Sequence, residues 1–267
     1  MVVMNKIVLD DVRVLDSSVD DCISFCYDSN DLGIMSLNID VLKSCDLFLK
    51  YDFNDSKVEV SVNVSSNVSL NVFEIVNGCS AKVRTQYSIL DDSHVVVSKF
   101  NNVDSIKEYF VSNLDGCRSS ISYNLKTISV NPLSYDFLVY HNCKDSVSNI
   151  VTNGVSILDG SILFNVSSFI PSGITGCVAS QDNKIINLNE HLCVIKPNLY
   201  IDCDDVIANH SAWVGSFKDD LLFYLQSRGI CYDDAMRLLV RGFLTSGLGS
   251  DLDFSKEVLD IIDNYWR

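Results

Sequence analysis

The sequence has few positive charges and no long apolar run, and these absences exclude several classes of partner. Lys and Arg number 20 against 35 Asp and Glu, which gives a net charge of −15. A chain of this sign repels a phosphate backbone and an anionic membrane surface, and it offers no basic stripe along which nucleic acid would bind. No apolar run approaches the roughly 20 residues that span a bilayer. We therefore expect a soluble protein that binds neither nucleic acid nor membrane.

Sequence motifs for common catalytic chemistry are also missing. No G-x-x-x-x-G-K-[ST] loop is present, so we expect that the chain does not hydrolyse ATP alone. G-x-G-x-x-G, G-x-S-x-G and H-E-x-x-H are absent too, which disfavours a dinucleotide-dependent enzyme, an esterase and a zinc peptidase. The 4 histidines are dispersed and predict no triad by themselves. The sequence therefore favours a protein that is not an enzyme.

The 10 cysteines show no zinc-site spacing, because no C-x-x-C occurs and no Cys or His cluster completes a tetrahedral set. Charged residues interrupt the apolar N-terminal stretch, and no small-residue cleavage pattern follows it, so we expect no secretory signal and a cytoplasmic location. In the cytosol the thiols should be reduced, and most should be small core residues. Whether Cys193 or Cys203 contributes to a site stays open.

Residues 57–215 have the alternation of a β body. In the run that starts at residue 57, apolar side chains of one parity recur with period two, which predicts strands with one buried face. These residues are Val58, Val60, Val62, Val64, Val68, Leu70 and Val72. Asn77-Gly78 and Asn153-Gly154 have the composition of turns between strands. A sandwich, a barrel and a β-solenoid all fit this pattern, and periodicity alone does not choose among them.

The two ends of the chain differ from this body. Residues 1–56 form an N-terminal segment that includes a possible short helix over residues 41–52. Residues 216–267 have helical periodicity and predict a C-terminal helical unit of three helices. The first helix, over residues 219–229, should end at Gly229. The predicted apolar face of the second consists of Ala235, Leu238, Leu239, Gly242 and Phe243, and that of the third consists of Val258, Ile261, Ile262 and Tyr265.

One segment resembles a known family. Residues 196–230 read KPNLYIDCDDVIANHSAWVGSFKDDLLFYLQSRGI, which is similar to the signature of the SufB/SufD family of iron–sulfur cluster assembly proteins. The matching residues are Pro197, Leu199, Ile201, Asp204, Asp205, Val206, His210, Gly215, Phe223, Tyr224, Leu225, Ser227, Arg228 and Gly229. SufB-like members tend to have Cys at the position of Leu225 and Glu at that of Ser211, so both positions favour SufD. Trp213 departs from the family pattern and is interpreted as a core anchor.

The resemblance implies a fold, partners and a site. The fold is mainly β: a right-handed parallel β-helix, which is a single-stranded solenoid, with the C-terminal helical unit. The partners are a SufB-like scaffold and a SufC-like ATPase. A transient iron–sulfur cluster forms at the interface with SufB, and none is bound by the isolated chain. His210 is the candidate iron ligand at that interface, since imidazole is a good iron ligand. The residues implied to bind the ATPase are Phe223, Tyr224, Leu225, Arg228 and Gly229.

Alternatives remain at this point. One alternative is a SufB-like scaffold that assembles clusters as a homo-oligomer. A third possibility is a β-helix enzyme that acts on polysaccharides, with Asp202, Asp204 and Asp205 as acid and base on an exposed sheet face. His210 has an alternative of its own, which is a hydrogen-bonded histidine at a strand end. We expect the family's longer N-terminal helical region to be reduced or missing here, so the functions of that region are not carried over.

Overall fold

The structure is a computed structural model that describes residues 4–11, 13–29, 34–249 and 251–265. Its strands form one sheet that coils into a parallel β-solenoid of about 7 turns, followed by three helices. The first strands are β1 (Asn5–Leu9), β2 (Val14–Ser18), β3 (Ile23–Ser29), β4 (Ile34–Val41), β5 (Cys45–Val64), β6 (Ser69–Ile89) and β7 (His94–Leu114). They are followed by β8 (Ser120–Ser129), β9 (Pro132–His141), β10 (Val147–Ser156), β11 (Ser161–Ile170), β12 (Cys177–Asn187), β13 (Val194–Ile201) and β14 (Val206–Gly215). The helices are α1 (Asp219–Ser227), α2 (Tyr232–Thr245) and α3 (Leu252–Asn264).

The solenoid has two faces with the core between them. One face runs β2-β1-β5-β6-β7-β8-β10-β12-β14 and is covered by helices, so we call it the helix face. The other, the bare face, contains β3, β4, β9, β11 and β13. The long strands β5, β6 and β7 bend and belong to both faces. Successive turns stack in parallel register, so the predicted parallel solenoid with a C-terminal helical unit is confirmed.

The core consists of the inward-facing side chains of both faces. The predicted alternation is confirmed, since Val58, Val60, Val62 and Val64 are each at most 3% exposed. Rings from successive turns also stack inside the solenoid, and the centroids of Phe110 and Tyr123 lie 4.3 Å apart. Each such buried side chain contributes about 1.5–3 kcal/mol relative to an exposed one. The stacked interior therefore stabilises the solenoid along its whole length.

Two of the predicted turns are wrong, because Asn77-Gly78 lies inside β6 and Asn153-Gly154 lies inside β10. Gly78 has a φ of 140°, and a Cβ atom there would lie 1.7 Å from the carbonyl oxygen of Phe53 in the turn below. A glycine is needed at this position because the backbones of two turns approach closely at a bend of the solenoid. The dipeptide therefore marks a bend within a parallel strand and not a reversal of the chain.

The short helix predicted over residues 41–52 is also wrong, because this segment forms the end of β4 and the start of β5. Leu47, Leu49 and Tyr51 alternate inward, while Phe48 packs on the outer side against the helices. Burial on both sides of one strand produces an apolar run that resembles a helical pattern. Residue 57, the predicted start of the β body, lies inside β5.

The helical unit packs on the outer side of the helix face. The ring of Phe254 in α3 lies 5.5 Å from that of Phe73, and Glu257 forms an ion pair of 2.6 Å with Lys50. The third helix buries Val258 and Ile262, as predicted. Trp266 and Arg267, which were assigned to the same helix, lie outside the described residues.

The apolar face predicted for α2 is correct only in part: Ala235 is buried and Phe243 packs against the apolar cluster that the helices and the sheet share, whereas Leu238 is 46% exposed. The other buried residues of this helix are Met236, Val240 and Leu244. They recur every four positions, so the contact stripe is rotated by about a third of a turn from the predicted one. None of the helices within the described ranges is long and apolar enough to cross a bilayer.

Candidate functional site at the open end of the solenoid

The solenoid ends on two edge strands. Within the described residues, β14 pairs only with β12, and β13 pairs only with β11. Each edge strand therefore presents backbone N–H and C=O groups that the sheet itself leaves unpaired. Such an edge is a template for pairing with a further chain. We refer to this region as the open end.

His210 lies on β14 at the open end, in register with Gln181 of β12. Gln181 is 1% exposed and belongs to the interior row of side chains, so His210 continues that row onto the last strand. The imidazole is exposed, since no described strand covers it. The amide nitrogen of Gln181 donates to Ser168 and to the carbonyl of Asn198, but its Oε1 has no hydrogen-bond partner among the described residues. The interior row therefore ends in a polar group and an exposed imidazole.

The neighbours of His210 on β14 are held by hydrogen bonds to side chains of β12. Ser180 donates a hydrogen bond of 2.7 Å to Asn209, and Ser211 donates to Asp182. Trp213 is 44% exposed, so its interpretation as a core anchor is wrong. The exposure follows from its position on the outer side of an edge strand.

The two cysteines left open by the sequence have different surroundings. Cys193 is 7% exposed and packs in the main core of the solenoid. Cys203 is half-buried and packs with Cys177 in a small apolar cluster near the open end. The thiol of Cys193 is thus in a core position, whereas Cys203 lies closer to the exposed edge.

The expectation that the thiols are reduced is wrong for one pair, because Cys117 and Cys143 form a disulfide. The two residues are 26 positions apart in sequence and stand on adjacent turns, where their Cα atoms lie 4.8 Å apart. That separation lies within the range a disulfide requires. The sequence does not indicate this pairing, because only the stacking of turns brings the two residues together.

A buried hydrogen-bond chain lies next to this disulfide. The His141 ring contacts the hydroxyl oxygens of Ser146 at 2.8 Å and Ser148 at 2.9 Å. The Ser146 oxygen is also 3.3 Å from the sulfur of Cys177. Burial lowers the pKa of His141 to about 4, so the ring is neutral at physiological pH. This histidine is structurally integrated, in contrast to the exposed His210.

A buried ion cluster crosses the interior of the solenoid. The Nζ atom of Lys99, on the helix face, lies 2.7 Å from a carboxylate oxygen of Glu74 on the same face. It lies 2.8 Å from a carboxylate oxygen of Glu108 on the bare face, and all three residues are buried. Burial alone would lower the pKa of Lys99, but the two carboxylates outweigh it and raise this pKa. Burial raises the pKa of Glu74. The cluster was not predicted from the sequence, although Lys99 shares the inward parity of Val95 and Val97.

Helix α1 carries the predicted partner-binding residues and buries none of its own side chains. Phe223 is 74% exposed and Tyr224 is 55% exposed. The guanidinium carbon of Arg228 lies 5.3 Å from the centre of the Tyr224 ring. Gly229 has a φ of 85° and ends the helix, as predicted. Together with Leu225, these residues place aromatic and cationic groups on one exposed helix.

Asp202, Asp204 and Asp205 do not lie on a sheet face. All three occupy the turn between β13 and β14, and the carbonyl of Asp205 accepts a hydrogen bond of 2.8 Å from the Gly176 backbone. The predicted site of a polysaccharide-active enzyme is therefore wrong, because it required these residues as acid and base on an exposed sheet face.

The fold and the candidate site define a parallel β-solenoid protein with an exposed histidine on its terminal strand. The chain belongs to the family described as SUF system FeS cluster assembly, SufBD core domain, whose family model matches residues 37–243. It is 37% identical over 107 residues to the iron–sulfur cluster assembly protein SufD of Bacillus subtilis, which covers 40% of this chain and 24% of that protein. It is 46% identical over 48 residues to SufD of Escherichia coli, and the aligned part covers 18% of this chain and 11% of that protein.

A third relative is an iron–sulfur cluster assembly SufBD family protein of Mycobacterium bovis, 33% identical over 115 residues, which covers 40% of this chain and 29% of the relative. The aligned part of the chain thus spans 29% or less of each of these three relatives. The resemblance to the SufB/SufD family, and to SufD within it, is confirmed.

Proposed function

We propose that the chain is a SufD-like, non-catalytic subunit of a cytoplasmic iron–sulfur cluster assembly complex, in which it joins a SufB-like scaffold and docks a SufC-like ATPase. The observation that supports this proposal is the position of His210 at the end of the interior row, exposed on an edge strand. A neutral imidazole suits iron. One ligand from this chain leaves the others to the partner, so the cluster is cargo that is built at the interface.

The open end supplies the surface for the SufB-like chain. The edges of β13 and β14 offer unpaired backbone groups, and main-chain hydrogen bonds across such an edge give affinity without a deep pocket. Pairing at this edge would also cover His210. A ligand that becomes enclosed only in the complex fits a cluster that the isolated chain does not bind.

His210→Ala tests the ligand role. The imidazole is exposed, so the substitution should change the free energy of unfolding by no more than about 0.5 kcal/mol. Iron and sulfide content of the complex, purified after co-expression with the SufB-like and SufC-like chains, should collapse. His94→Ala is a matched control, because His94 is an exposed histidine on β7 whose ring contacts Ser120. A His210→Ala complex that retains its iron and sulfide would contradict the proposal.

The exposed aromatic residues of α1 support the docking of the ATPase. Aromatic residues and Arg are the usual energetic anchors of interfaces. Replacing Phe223 and Tyr224 by Ala should weaken SufC binding by about tenfold or more. Leu252→Ala is the control, since Leu252 is 84% exposed but lies on α3. Unchanged SufC affinity of the double variant, with its helix content intact, would refute this assignment.

A second candidate function is a SufB-like scaffold that assembles clusters as a homo-oligomer. The same open end favours it, because an unpaired edge can join a second copy of the chain as well as a different subunit. The mass of the purified chain in solution separates the two functions. A stable homodimer that acquires a cluster without a SufB-like chain would favour the second function over the first.

A further inference from the structure

Three lysines form a column on the outer surface of the bare face. Lys57 of β5 is in register with Lys82 of β6, which is in register with Lys107 of β7. All three are exposed. Since adjacent strands lie about 4.8 Å apart, the column is about 10 Å long at the level of the backbone. We call these three residues the lysine column.

The described residues provide no ion-pair partner for the lysine column. None of its members forms an ion pair with a described residue. Like charges that stand directly opposite each other on adjacent strands destabilise a sheet. The arrangement is unexpected in a chain with a net charge of −15. A local feature that costs stability without an evident structural gain is typical of a functional site.

The next row of side chains adds a fourth cationic group and an aromatic ring that contacts it. Arg84 lies beside the column on β6, in register with Tyr109 of β7. Its guanidinium carbon is 5.1 Å from the centre of the Tyr109 ring, which restrains the cation. The column and this pair line one depression with a volume of about 230 Å³, which Glu59 also lines. Lysine and arginine together are the usual ligands of phosphate groups.

The surroundings favour a compact ligand over a long one. Glu59 is in register with Arg84 on one side, and Asp136 is in register with Tyr109 on the other. A long polyanion would meet these carboxylates as well as the negative charge of the whole chain. The volume also lies below the roughly 300 Å³ at which pockets for drug-sized ligands begin. Positive charge is therefore confined to a small area.

We propose that the lysine column, with Arg84, is a binding site for a compact oligophosphate with about three or four negative charges. The ligand class includes pyrophosphate, tripolyphosphate and the phosphate chain of a nucleotide. The site lies on the face opposite to the helices, so it is independent of the proposed function in cluster assembly. Its failure would leave that function untouched.

Titration calorimetry with tripolyphosphate tests the site on the full chain. Replacing all three lysines of the column by Gln should weaken binding by about a hundredfold, and the single Lys82→Gln variant should weaken it by about fivefold, since each variant removes close charge pairs with the ligand. Binding to the unmodified chain should also weaken as salt rises from about 50 to 200 mM. Denaturant unfolding should show no loss of stability in the triple variant, because a repulsion is removed.

The control removes the same number of charges elsewhere. It is a triple Lys→Gln variant at exposed positions outside the column, namely Lys144, Lys196 and Lys218. This control should bind tripolyphosphate like the unmodified chain. No detectable binding, an equal loss in both triple variants, equal affinity for sulfate, or binding confined to long polyanions such as heparin would each overturn the proposal.

Discussion

Replacing Lys99 by Met should destabilise the protein strongly, although it changes a single residue far from the open end. Lys99 is the shared counter-charge of Glu74 and Glu108, and both carboxylates are buried. Without it, two negative groups face each other in the interior. The hydrogen bonds that Asn101 and Tyr123 donate to Glu108 remain, but they do not replace a full charge. Removing one partner of a buried ion pair costs about 3–5 kcal/mol.

Urea unfolding followed by circular dichroism measures this loss. The control is the triple variant Glu74→Gln, Lys99→Met and Glu108→Gln, which removes every charge of the cluster and should regain most of the stability. The Lys99→Met variant should also lose less at low pH, where one of the glutamates takes up a proton. A loss below about 1 kcal/mol, or a loss that does not depend on pH, would refute the reasoning.

Two further substitutions test the buried histidine and the bend glycine. Burial lowers the pKa of His141 to about 4, so the unfolded chain binds more protons than the folded one between that value and the ordinary pKa near 6.5. Stability should therefore rise as pH rises through this window, and be lost as pH falls through it, by at most about 3 kcal/mol. His141→Gln should reduce this pH dependence of the free energy of unfolding, measured by urea titrations at several pH values. The control His94→Gln should leave the pH dependence unchanged. An unchanged pH dependence in the His141→Gln variant would count against the argument. Gly78→Ala should cost more than about 2 kcal/mol in the same assay, because its Cβ atom would overlap the carbonyl of Phe53. Gly242→Ala in α2, where a Cβ atom meets nothing within 4 Å, should instead be neutral or stabilising by up to about 1 kcal/mol, and equal effects at both glycines would contradict the close-approach argument.

The local alternation of apolar residues predicted the strands well. The architecture was predicted only from the resemblance to a known family. The alternation from Val58 to Val72 identified the inward side correctly, because one face of each strand is buried and the other is solvated. A period of two is equally compatible with a sandwich, a barrel or a solenoid. The signature around His210 resolved this ambiguity, since it matched a family whose fold is a parallel solenoid. The fold was therefore predicted from a motif and not from periodicity.

The features that sequence reasoning missed depend on stacking between turns. Lys57 and Lys82 are far apart along the chain, and Cys117 and Cys143 are separated by 26 positions, but each pair stands on adjacent turns. The composition gave no indication of the lysine column, because its three residues are clustered only in space. The contact face of α2 was predicted only in part for a related reason. Its amphipathic pattern allows two neighbouring stripes, and only the position of the sheet chooses between them.

The equal length of two successive turns has a consequence for how this protein can change in length. Asn71 donates to Asp46 and Asn102 donates to Asn77, each across 25 residues, so the turn from β5 to β6 has the same length as the turn from β6 to β7. Loss or duplication of one such unit would bring equivalent strands together with the same side chains facing inward. An insertion of one residue inside a strand would instead shift the register and turn apolar residues outward. The evolution of solenoid length should therefore proceed in whole turns, with the two ends of the molecule carried along unchanged.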